Sequence, residues 1–274
     1  MSLATVDFDY VSSLVLKRSA IVLEPEKNYL VESRLSPIAR QEGYASVAEL
    51  VAELRSGPKD VLRSKVVEAM TTNETSFYRD LKPFEAFQKV VVPELLQARA
   101  KEKRLQIWCG ASSTGQEPYT IGLVLKEHFG THAHWQFPII ATDLSLNVLE
   151  RARQGRYTQL EVNRGLPAPQ LVKYFQRQGT EWQLKDEVRK LVEFRQLNLI
   201  DAAWGIGAVD VVFLRNVLIY FDVATKKEIL RKIRQILRPD GFLFLGGAET
   251  TMNLDDHFER IPFERSGCYR LRKS

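Results

Sequence analysis

The chain has 274 residues, of which 45% are hydrophobic and 27% charged, with a formal net charge of +5. This composition is typical of a folded globular protein with one large or two modest domains, and it excludes a disordered or coiled-coil chain. No apolar run reaches the roughly 18 residues of a membrane span, and the first ten residues carry two Asp and no basic side chain, unlike a signal peptide. We therefore predict a cytoplasmic protein.

The first 70 residues predict a small helical bundle. Apolar residues recur there at helical spacing, as in Leu50, Val51 and Leu54. Gly43 and the pair Gly57-Pro58 separate one helix from the next. The following stretch pairs Thr71 with Glu74 at capping-box spacing, which predicts a helix start but does not explain the polar run that continues to Arg79.

From about residue 105 onwards, short apolar strands alternate with helices. The strands are predicted at 105–108, 137–141, 209–214 and 241–245, and the helices at 117–125, 146–153 and 223–237. Such alternation predicts a mostly parallel sheet covered by helices on both faces. Residues around Phe263 and 268–271 predict a hairpin at one sheet edge, and the irregular segment 155–195 predicts a small insertion with a strand at 182–184.

Polar residues follow the predicted strands, at the edge where open parallel sheets bind ligands. The small-residue loop 110–115 lets the main chain approach a ligand closely, and Glu117 follows it. Asp143 follows the second strand, where a carboxylate can hold both ribose hydroxyls. The loop lacks a phosphate-binding GxGxxG, so the pattern fits S-adenosylmethionine (SAM) among other nucleosides. Asp143 has an alternative interpretation as a helix cap.

The strand 209–214 delivers Arg215 and Asn216 at its end, and such groups need partners when they are buried. They either serve a ligand or bond to neighbouring loops. The Asn/Asp-Pro-Pro-Tyr motif of many amino-methyltransferases is absent here, which argues against an amide or adenine amine as substrate. His128, His132 and His134 lie together without a nearby Cys, and we predict no metal site. Cys109 and Cys268 are predicted to be free thiols.

Four motifs together carry a resemblance to a known family. In chain order they are NETSFYRD (73–80), WCGASSTGQEPY (108–119), ATDLS (141–145) and RNVLIYFD (215–222). They resemble the CheR family of chemoreceptor glutamate O-methyltransferases over essentially the whole chain. The resemblance implies an α/β class I SAM-methyltransferase fold, Rossmann-like, with a mostly parallel sheet and an antiparallel edge hairpin. It further implies a helical domain at 1–72, a linker at 73–90 that contributes to the cofactor site, and a methyltransferase domain at 91–274 with a small β-subdomain at about 155–195.

The resemblance also implies site residues and partners. SAM would be the cofactor and S-adenosylhomocysteine the product, the partner would be the cytoplasmic helical bundle of chemoreceptors, and the product esters would serve chemotactic adaptation. Docking of a receptor tail on the β-subdomain is expected to be weak or absent, because the turn at 179–180 is short; no nucleic-acid binding and no membrane insertion are expected. The implied catalytic residues are Arg79 and Tyr220, and the implied cofactor contacts are Asn73, Thr75, Arg79, Glu117, Asp143, Asn198, Leu199, Arg215 and Asn216.

The expected chemistry needs no general base, because a glutamate carboxylate with a pKa of about 4.3 is already ionised at pH 7. The basic residues Arg55, Lys59, Arg63 and Lys65 either face the receptor or form a solvated helix face. Two alternatives remain open for the whole chain: a SAM-dependent methyltransferase with another acceptor, and a non-catalytic regulator that binds SAM or S-adenosylhomocysteine.

Overall fold

A computed structural model describes residues 3–132 and 134–273. The chain forms two compact units, residues 1–72 with 220–225 and residues 73–219 with 226–274. The outer ends of the predicted domains, at residues 1–2 and 274, lie outside the described residues. In the described part of the chain, no helix is long and apolar enough to cross a membrane.

The first unit is helical, as the spacing of its apolar residues predicts. Its core consists of fully buried aliphatic side chains such as Val15, Leu35 and Leu54. The chain from residue 72 to 76 is not helical, so the helix start predicted at Thr71 is wrong; Thr71 instead follows the last turn of the preceding helix. The helices are α1 (Thr5–Ser19), α2 (Asn28–Gln41), α3 (Val47–Ser56) and α4 (Asp60–Met70).

The second unit contains all the strands of the described chain and the remaining helices, except that the first three residues of the last helix group with the first unit. A π-helical turn, Phe87–Val91, joins its first two helices. The helices are α5 (Lys82–Ala86), α6 (Val92–Ala98), α7 (Gln116–Phe129), α8 (Leu146–Gln154), α9 (Gln159–Asn163), α10 (Ala168–Tyr174), α11 (Asp186–Arg189) and α12 (Val223–Ile236). The strands are β1 (Ile107–Gly110), β2 (Ile139–Asp143), β3 (Arg156–Thr158), β4 (Phe175–Gln178), β5 (Glu181–Leu184), β6 (Val192–Gln196), β7 (Val209–Leu214), β8 (Leu237–Phe244), β9 (Phe258–Arg260) and β10 (Cys268–Leu271).

Seven strands form one sheet in the order β6-β2-β1-β7-β8-β10-β9. The first five are parallel, and β10 pairs antiparallel with both β8 and β9. This is the predicted parallel sheet with an antiparallel edge hairpin, except that the outer hairpin strand is β9 rather than the segment around Phe263. The strand order reverses at β1, so the ends of β1 and β7 border the crevice in which such sheets bind ligands.

The predicted insertion differs from the structure at its end. The strands β3, β5 and β4 form a separate antiparallel sheet, as expected of a small β-subdomain. The strand β6, however, pairs in parallel with β2 and belongs to the main sheet. The sequence does not predict β6 as a strand of the main sheet, because it lacks the apolar run of a central parallel strand. Only Phe194 is buried, between exposed Glu193 and Arg195.

The strand β8 also differs from its prediction, because it begins at Leu237 rather than Gly241. A register irregularity between Val209 and Val211 accommodates the segment Pro239-Asp240-Gly241 at its start. The core beneath the sheet is aromatic, with the rings of Phe213 and Phe244 stacked 4.4 Å apart. The cysteines Cys109 and Cys268 are free and buried, as predicted, and burial raises the pKa of both thiols.

Candidate active site

The loop after β1 turns tightly and brings its main chain to the end of the sheet. A side chain at Gly110 would place its Cβ 2.7 Å from Leu214 Cδ1 and 3.0 Å from Trp108 Cζ2, so a larger residue here would force these buried side chains to shift. Ala111, Ser113 and Gly115 then adopt left-handed conformations with φ of 53°, 50° and 93°. The helix α7 begins directly after this turn, which places Glu117 in its first turn.

Asp143 lies buried at the end of β2, and main-chain donors fix its carboxylate. Its Oδ2 accepts a hydrogen bond from Ser113 N at 2.8 Å, and its Oδ1 accepts one from Ser145 N at 3.0 Å. The cap of α8 is Ser145, whose hydroxyl accepts from Val148 N at 3.4 Å. The capping interpretation of Asp143 is therefore wrong. Each carboxylate oxygen can accept more than one hydrogen bond, so the orientation is compatible with a diol ligand.

Ser113 connects this carboxylate to the linker. Its hydroxyl donates to Asn73 O at 2.7 Å, while its amide donates to Asp143. Nothing in the sequence singles out Ser113, because its partners are a main-chain carbonyl 40 residues away and an acid on another strand. Thr75, two residues further along the linker, is half-buried. The neighbouring hydroxyl of Ser112 is buried without a hydrogen-bond partner in the described chain.

Arg215 is the central cation at the end of the sheet, and its side chain is completely buried. It forms an ion pair with Glu117 and donates to Asp80 Oδ2 at 2.7 Å and to Arg79 O at 3.0 Å. One guanidinium thus joins the end of β7, the start of α7 and the linker. Of the two interpretations of this residue, bonding to neighbouring segments is observed, and a direct cofactor contact stays a prediction.

The linker that Arg215 holds has an unusual backbone. Tyr78, Asp80 and Leu81 have φ of 50°, 66° and 45°, a left-handed region that side chains other than glycine seldom adopt. Arg79 lies among them, half-buried, and its Nη1 donates to Glu74 O at 2.9 Å. Concentrated backbone strain of this kind persists only where surrounding contacts enforce it, and it is common at functional sites.

Asn216 follows Arg215 and is also left-handed, with φ of 58°. Its amide donates to Glu249 Oε2 at 2.8 Å. Glu249 was not among the predicted site residues. Tyr220 lies in a short 3₁₀ turn, Leu218–Tyr220, where its carbonyl accepts from Val22 N at 3.0 Å. It belongs to the first compact unit, and its catalytic role stays a prediction.

The segment with Asn198 and Leu199 follows β6, and Leu197 N donates to Asp143 O at 3.0 Å. Lys232 of α12 holds this segment, because its Nζ donates to the carbonyls of Leu199 at 3.2 Å and Asp201 at 2.8 Å. Burial lowers the pKa of Lys232. The sequence did not indicate this lysine, since it resembles any cation on the polar face of an amphipathic helix.

The fold and these residues define a class of protein. A parallel sheet with this reversal, an acid at the end of β2 and a tight loop without a phosphate-binding motif form the site of a class I SAM-dependent methyltransferase. The buried, unpartnered hydroxyl of Ser112 and the carboxylate of Asp143 suit a ligand with both acceptor and donor groups, as SAM has. Within residues 3–132 and 134–273, no group of three or more His, Cys, Asp or Glu could hold a metal ion.

Comparison with known proteins gives the family. A model described as "CheR methyltransferase, SAM binding domain" matches residues 73–266, and one described as "CheR methyltransferase, all-alpha domain" matches residues 6–71. "Chemotaxis protein methyltransferase 1" of Pseudomonas aeruginosa is 41% identical over 276 residues, which is 99% of this chain and 100% of that protein. "Chemotaxis protein methyltransferase Cher2" of Pseudomonas putida is 40% identical, with the same coverage. The "Chemotaxis protein methyltransferase" of Escherichia coli is 33% identical, covering 94% and 89%.

The chain therefore belongs to the CheR methyltransferase family, and SAM is its cofactor. The predicted family, fold class and cofactor are confirmed. SAM-dependent methylation in chemotaxis, which the sequence predicted, is the function that the family and the names of the relatives support. The boundaries of the domains and the individual site residues stay predictions.

Proposed function

We propose that this protein transfers the methyl group of SAM to glutamate side-chain carboxylates of bacterial chemoreceptors, forming methyl esters. The observation that carries the proposal is the position of Arg79, in a strained linker that the buried Arg215 holds at the end of the sheet. The guanidinium of an arginine in such a place suits a carboxylate acceptor. The chemotaxis names of relatives that align over the full chain support the same acceptor class.

The residues of the chain divide the work of binding. Asp143, at the end of β2, would accept the ribose hydroxyls of SAM, and Asn198 and Leu199 would lie against its adenine. The loop 110–115 would contact the cofactor with its main chain, and Glu117 and Arg215 brace that loop against the linker. Bound SAM supplies a methyl group on a positively charged sulfur.

The acceptor carboxylate has to be oriented by the enzyme, but it does not have to be deprotonated. A glutamate side chain has a pKa of about 4.3, so it reaches the enzyme ionised and no proton has to be removed. Arg79 would hold this carboxylate through the planar fork of its guanidinium. Such positioning can be worth about 7–11 kcal/mol of the barrier.

The basic residues of the first unit give little support to a receptor-binding face there. Arg55 forms an ion pair with Asp7 at 3.1 Å, and Lys59 forms one with Glu53 at 2.8 Å. Arg63 donates to the carbonyls of Leu54 and Gly57, both at 3.0 Å, and Lys65 is paired with Glu42. These contacts join segments of the bundle, which favours the interpretation as a solvated face with internal bonds.

Tail docking on the β-subdomain is proposed to be weak or absent. The strands β4 and β5 are joined by only two residues, Gly179 and Thr180, and Gly179 has the φ of 62° that a tight turn requires. So short a connection offers no loop to enclose a peptide. This protein would then recognise the helical bundle of the receptor rather than the receptor tail.

The test is transfer of label from methyl-labelled SAM to a purified receptor cytoplasmic fragment, followed by release at high pH. Volatile methanol is expected, because alkali hydrolyses a carboxyl methyl ester. A fragment whose modified glutamates are replaced by alanine is the control. Absence of transfer, with SAM binding intact by calorimetry, would contradict the proposal and favour another acceptor or a binding-only regulator.

A further inference from the structure

Glu249 lies in the segment that follows β8, the strand that pairs with β7 in the sheet. The segment after β8 turns back at Gly246, so that Glu249 N donates to Gly246 O at 3.0 Å. The turn directs the glutamate inwards, and the residue is only 9% exposed. A glutamate is seldom buried to this extent unless its carboxylate is ion-paired or hydrogen-bonded.

One carboxylate oxygen of Glu249 fixes two main-chain amides at once. Its Oε2 accepts from Gly246 N at 2.6 Å and from Asn216 N at 2.8 Å. The packing around this oxygen leaves no space, because a Cβ on Gly246 would lie 2.6 Å from Asn216 Nδ2 and 2.8 Å from Glu249 Oε2. The ends of β7 and β8 are therefore joined through a single buried atom.

Of these two amides, that of Asn216 matters more for the site, because it belongs to the residue that follows Arg215. Asn216 has a φ of 58°, a conformation that asparagine adopts more readily than most residues with a side chain but less readily than glycine. A charge-assisted hydrogen bond to its N–H is the strong kind, and it offsets the remaining cost of this conformation. Arg215, the residue before Asn216, donates to the carbonyl of Arg79. The carboxylate is thus three covalent or hydrogen-bonded steps from the arginine that we propose to orient the acceptor.

We infer that Glu249 is a positioning residue of the methyl-transfer site: it holds the end of β7 in the left-handed turn that orients Arg215, and Arg215 in turn holds Arg79 in place for the acceptor. The predicted effect on the rate of methyl transfer rests on the proposed function. The second oxygen, Oε1, is buried and accepts no hydrogen bond within the described chain. The contacts of Oε2 alone therefore account for the role.

Three variants separate positioning from a general effect on folding. Glu249→Ala removes both bonds and frees the amide of Asn216. Glu249→Gln retains one carbonyl oxygen that can accept from both amides, and its NH₂ group replaces the oxygen that has no partner. The matched control is Glu259→Ala, because Glu259 also lies near the end of the chain but pairs with Arg270 between β9 and β10.

The first measurement is steady-state transfer to the receptor fragment, with SAM affinity measured separately by calorimetry. We expect Glu249→Ala to lower kcat by about 100-fold, the size of a misplacement of about 1 Å, while SAM affinity changes less than about threefold. Glu249→Gln should recover most of the lost kcat, and Glu259→Ala should match the unaltered protein. A kcat within about twofold for Glu249→Ala, an equal loss of SAM affinity, or a Gln variant as impaired as the Ala variant would each overturn the inference.

The second measurement needs no acceptor. Amide hydrogen exchange of the segment 213–219 should be at least about tenfold faster in Glu249→Ala than in the Glu259→Ala control, because the amide of Asn216 loses its acceptor. Unchanged exchange would overturn the inference even if kcat fell. If the unaltered protein transferred no methyl group to the receptor, the proposed function would fail, and the exchange result would still decide whether Glu249 holds Asn216.

Discussion

Two buried arginines lie at opposite ends of the parallel strands, and each contacts two carboxylates. At the amino ends, Arg99 is 6% exposed; its Nε donates to Asp210 Oδ1 and its Nη1 to Asp240 Oδ2, both at 2.8 Å. At the carboxyl ends, Arg215 pairs with Glu117 and Asp80. The chemistry is the same, so any difference in role must come from what surrounds each pair.

The surroundings differ in two respects. The guanidinium of Arg99 is fully used, since all three of its nitrogens donate to carboxylates. That of Arg215 has a buried Nε without a partner in the described chain and gives one bond to a main-chain carbonyl. Left-handed residues other than glycine collect around the carboxyl ends: Tyr78, Asp80, Leu81, Ala111, Ser113 and Asn216. We infer that the ion pairs at the amino ends stabilise the sheet where the register between β7 and β8 is irregular, whereas those at the carboxyl ends hold a strained site.

The sharpest test of this difference is Arg99→Met. It removes the nearer cation of Asp210, which is 1% exposed, and leaves Arg238, whose Nε lies 3.6 Å from Asp210 Oδ1. Breaking one side of a buried pair costs about 3–5 kcal/mol of unfolding free energy, and we expect a loss towards the lower end of that range. Denaturant unfolding measures this loss. We expect kcat per folded molecule to stay within about twofold, because the variant touches no residue at the other end. A loss of kcat with little change in stability would contradict the assignment.

The same variant has a pH signature. The hydrogen bond from Arg99 lowers the pKa of Asp240 below its ordinary value. Stability from a lowered carboxyl pKa is present above the unfolded value of about 3.9 and is lost as the pH falls through the folded value. The gap in unfolding free energy between the unaltered protein and Arg99→Met should therefore narrow below about pH 4.

The reciprocal variant, Arg215→Met, should act mainly on catalysis. It releases the carbonyl of Arg79 and leaves Glu117 without its ion-pair partner, so we expect kcat to fall by about 100-fold or more. Arg215→Lys retains the charge but lacks the planar fork with which the guanidinium reaches Glu117, Asp80 and the Arg79 carbonyl, so it should recover little. Transfer to the receptor fragment gives kcat, and unfolding of the same samples corrects for stability. A full recovery by lysine would show that charge alone matters at this end.

The sequence predicted the elements at both ends better than the contacts between them. Alternating strands and helices gave the parallel sheet, and polar residues directly after strands pointed to Glu117, Asp143 and Arg215. The edge strand β6 was missed because only one of its faces is apolar. The buried pair of Arg99 and Asp210 was missed because 111 residues separate its members.

The residues missed at the site share one property, which is that they act on main-chain groups. Ser113 donates to the carbonyl of Asn73, Glu249 accepts from the amide of Asn216, and Lys232 donates to the carbonyl of Leu199. Nearly every residue has the same main-chain N–H and C=O groups, so the sequence does not distinguish the ones that are bonded. No pattern of side chains could therefore reveal these contacts, whereas the acids and cations that would face a ligand stood out by their type.

Within the carboxyl end, Arg79→Ala tests whether the strained linker serves the reaction or the cofactor. We expect the rate of the chemical step to fall by about 100-fold, because the acceptor carboxylate loses its bidentate partner, with SAM affinity changed less. Rapid mixing measures the step and calorimetry the affinity. Arg164→Ala is the control, since Arg164 pairs with Glu74 in the same linker at an exposed position. A chemical rate equal to that of the unaltered protein, with SAM affinity abolished, would assign Arg79 to the cofactor.

Lys232→Met extends the test to the end of β6. Its loss removes the donor to the carbonyls of Leu199 and Asp201, so the segment predicted to contact adenine should loosen. Removing a charged donor from partners that stay buried costs about 1.5–3 kcal/mol. If half of this cost falls on the bound segment, SAM binding would weaken by roughly 3- to 13-fold. Calorimetry of S-adenosylhomocysteine binding measures this. Equal affinity, with lower stability, would make Lys232 a purely structural cation like Arg99.

The smallest effect is expected from Tyr78→Phe, which probes the linker without touching Arg215. The Tyr78 hydroxyl donates to Gln170 Oε1 at 2.7 Å, and its loss should cost about 1 kcal/mol of unfolding free energy near pH 8. Burial raises the pKa of Tyr78 to about 12, above the unfolded value of about 10. Because the folded state then holds its proton more tightly, this contribution is present below about pH 10 and is lost as the pH rises towards 12. The gap between the two proteins should shrink and then change sign over that range, and a constant gap would show that the phenol does not titrate with unfolding. If kcat also fell by more than about threefold at pH 8, the strained linker would depend on Tyr78 as well as on Arg215. The difference between the two ends of the sheet would then come from several small contacts rather than from one buried arginine.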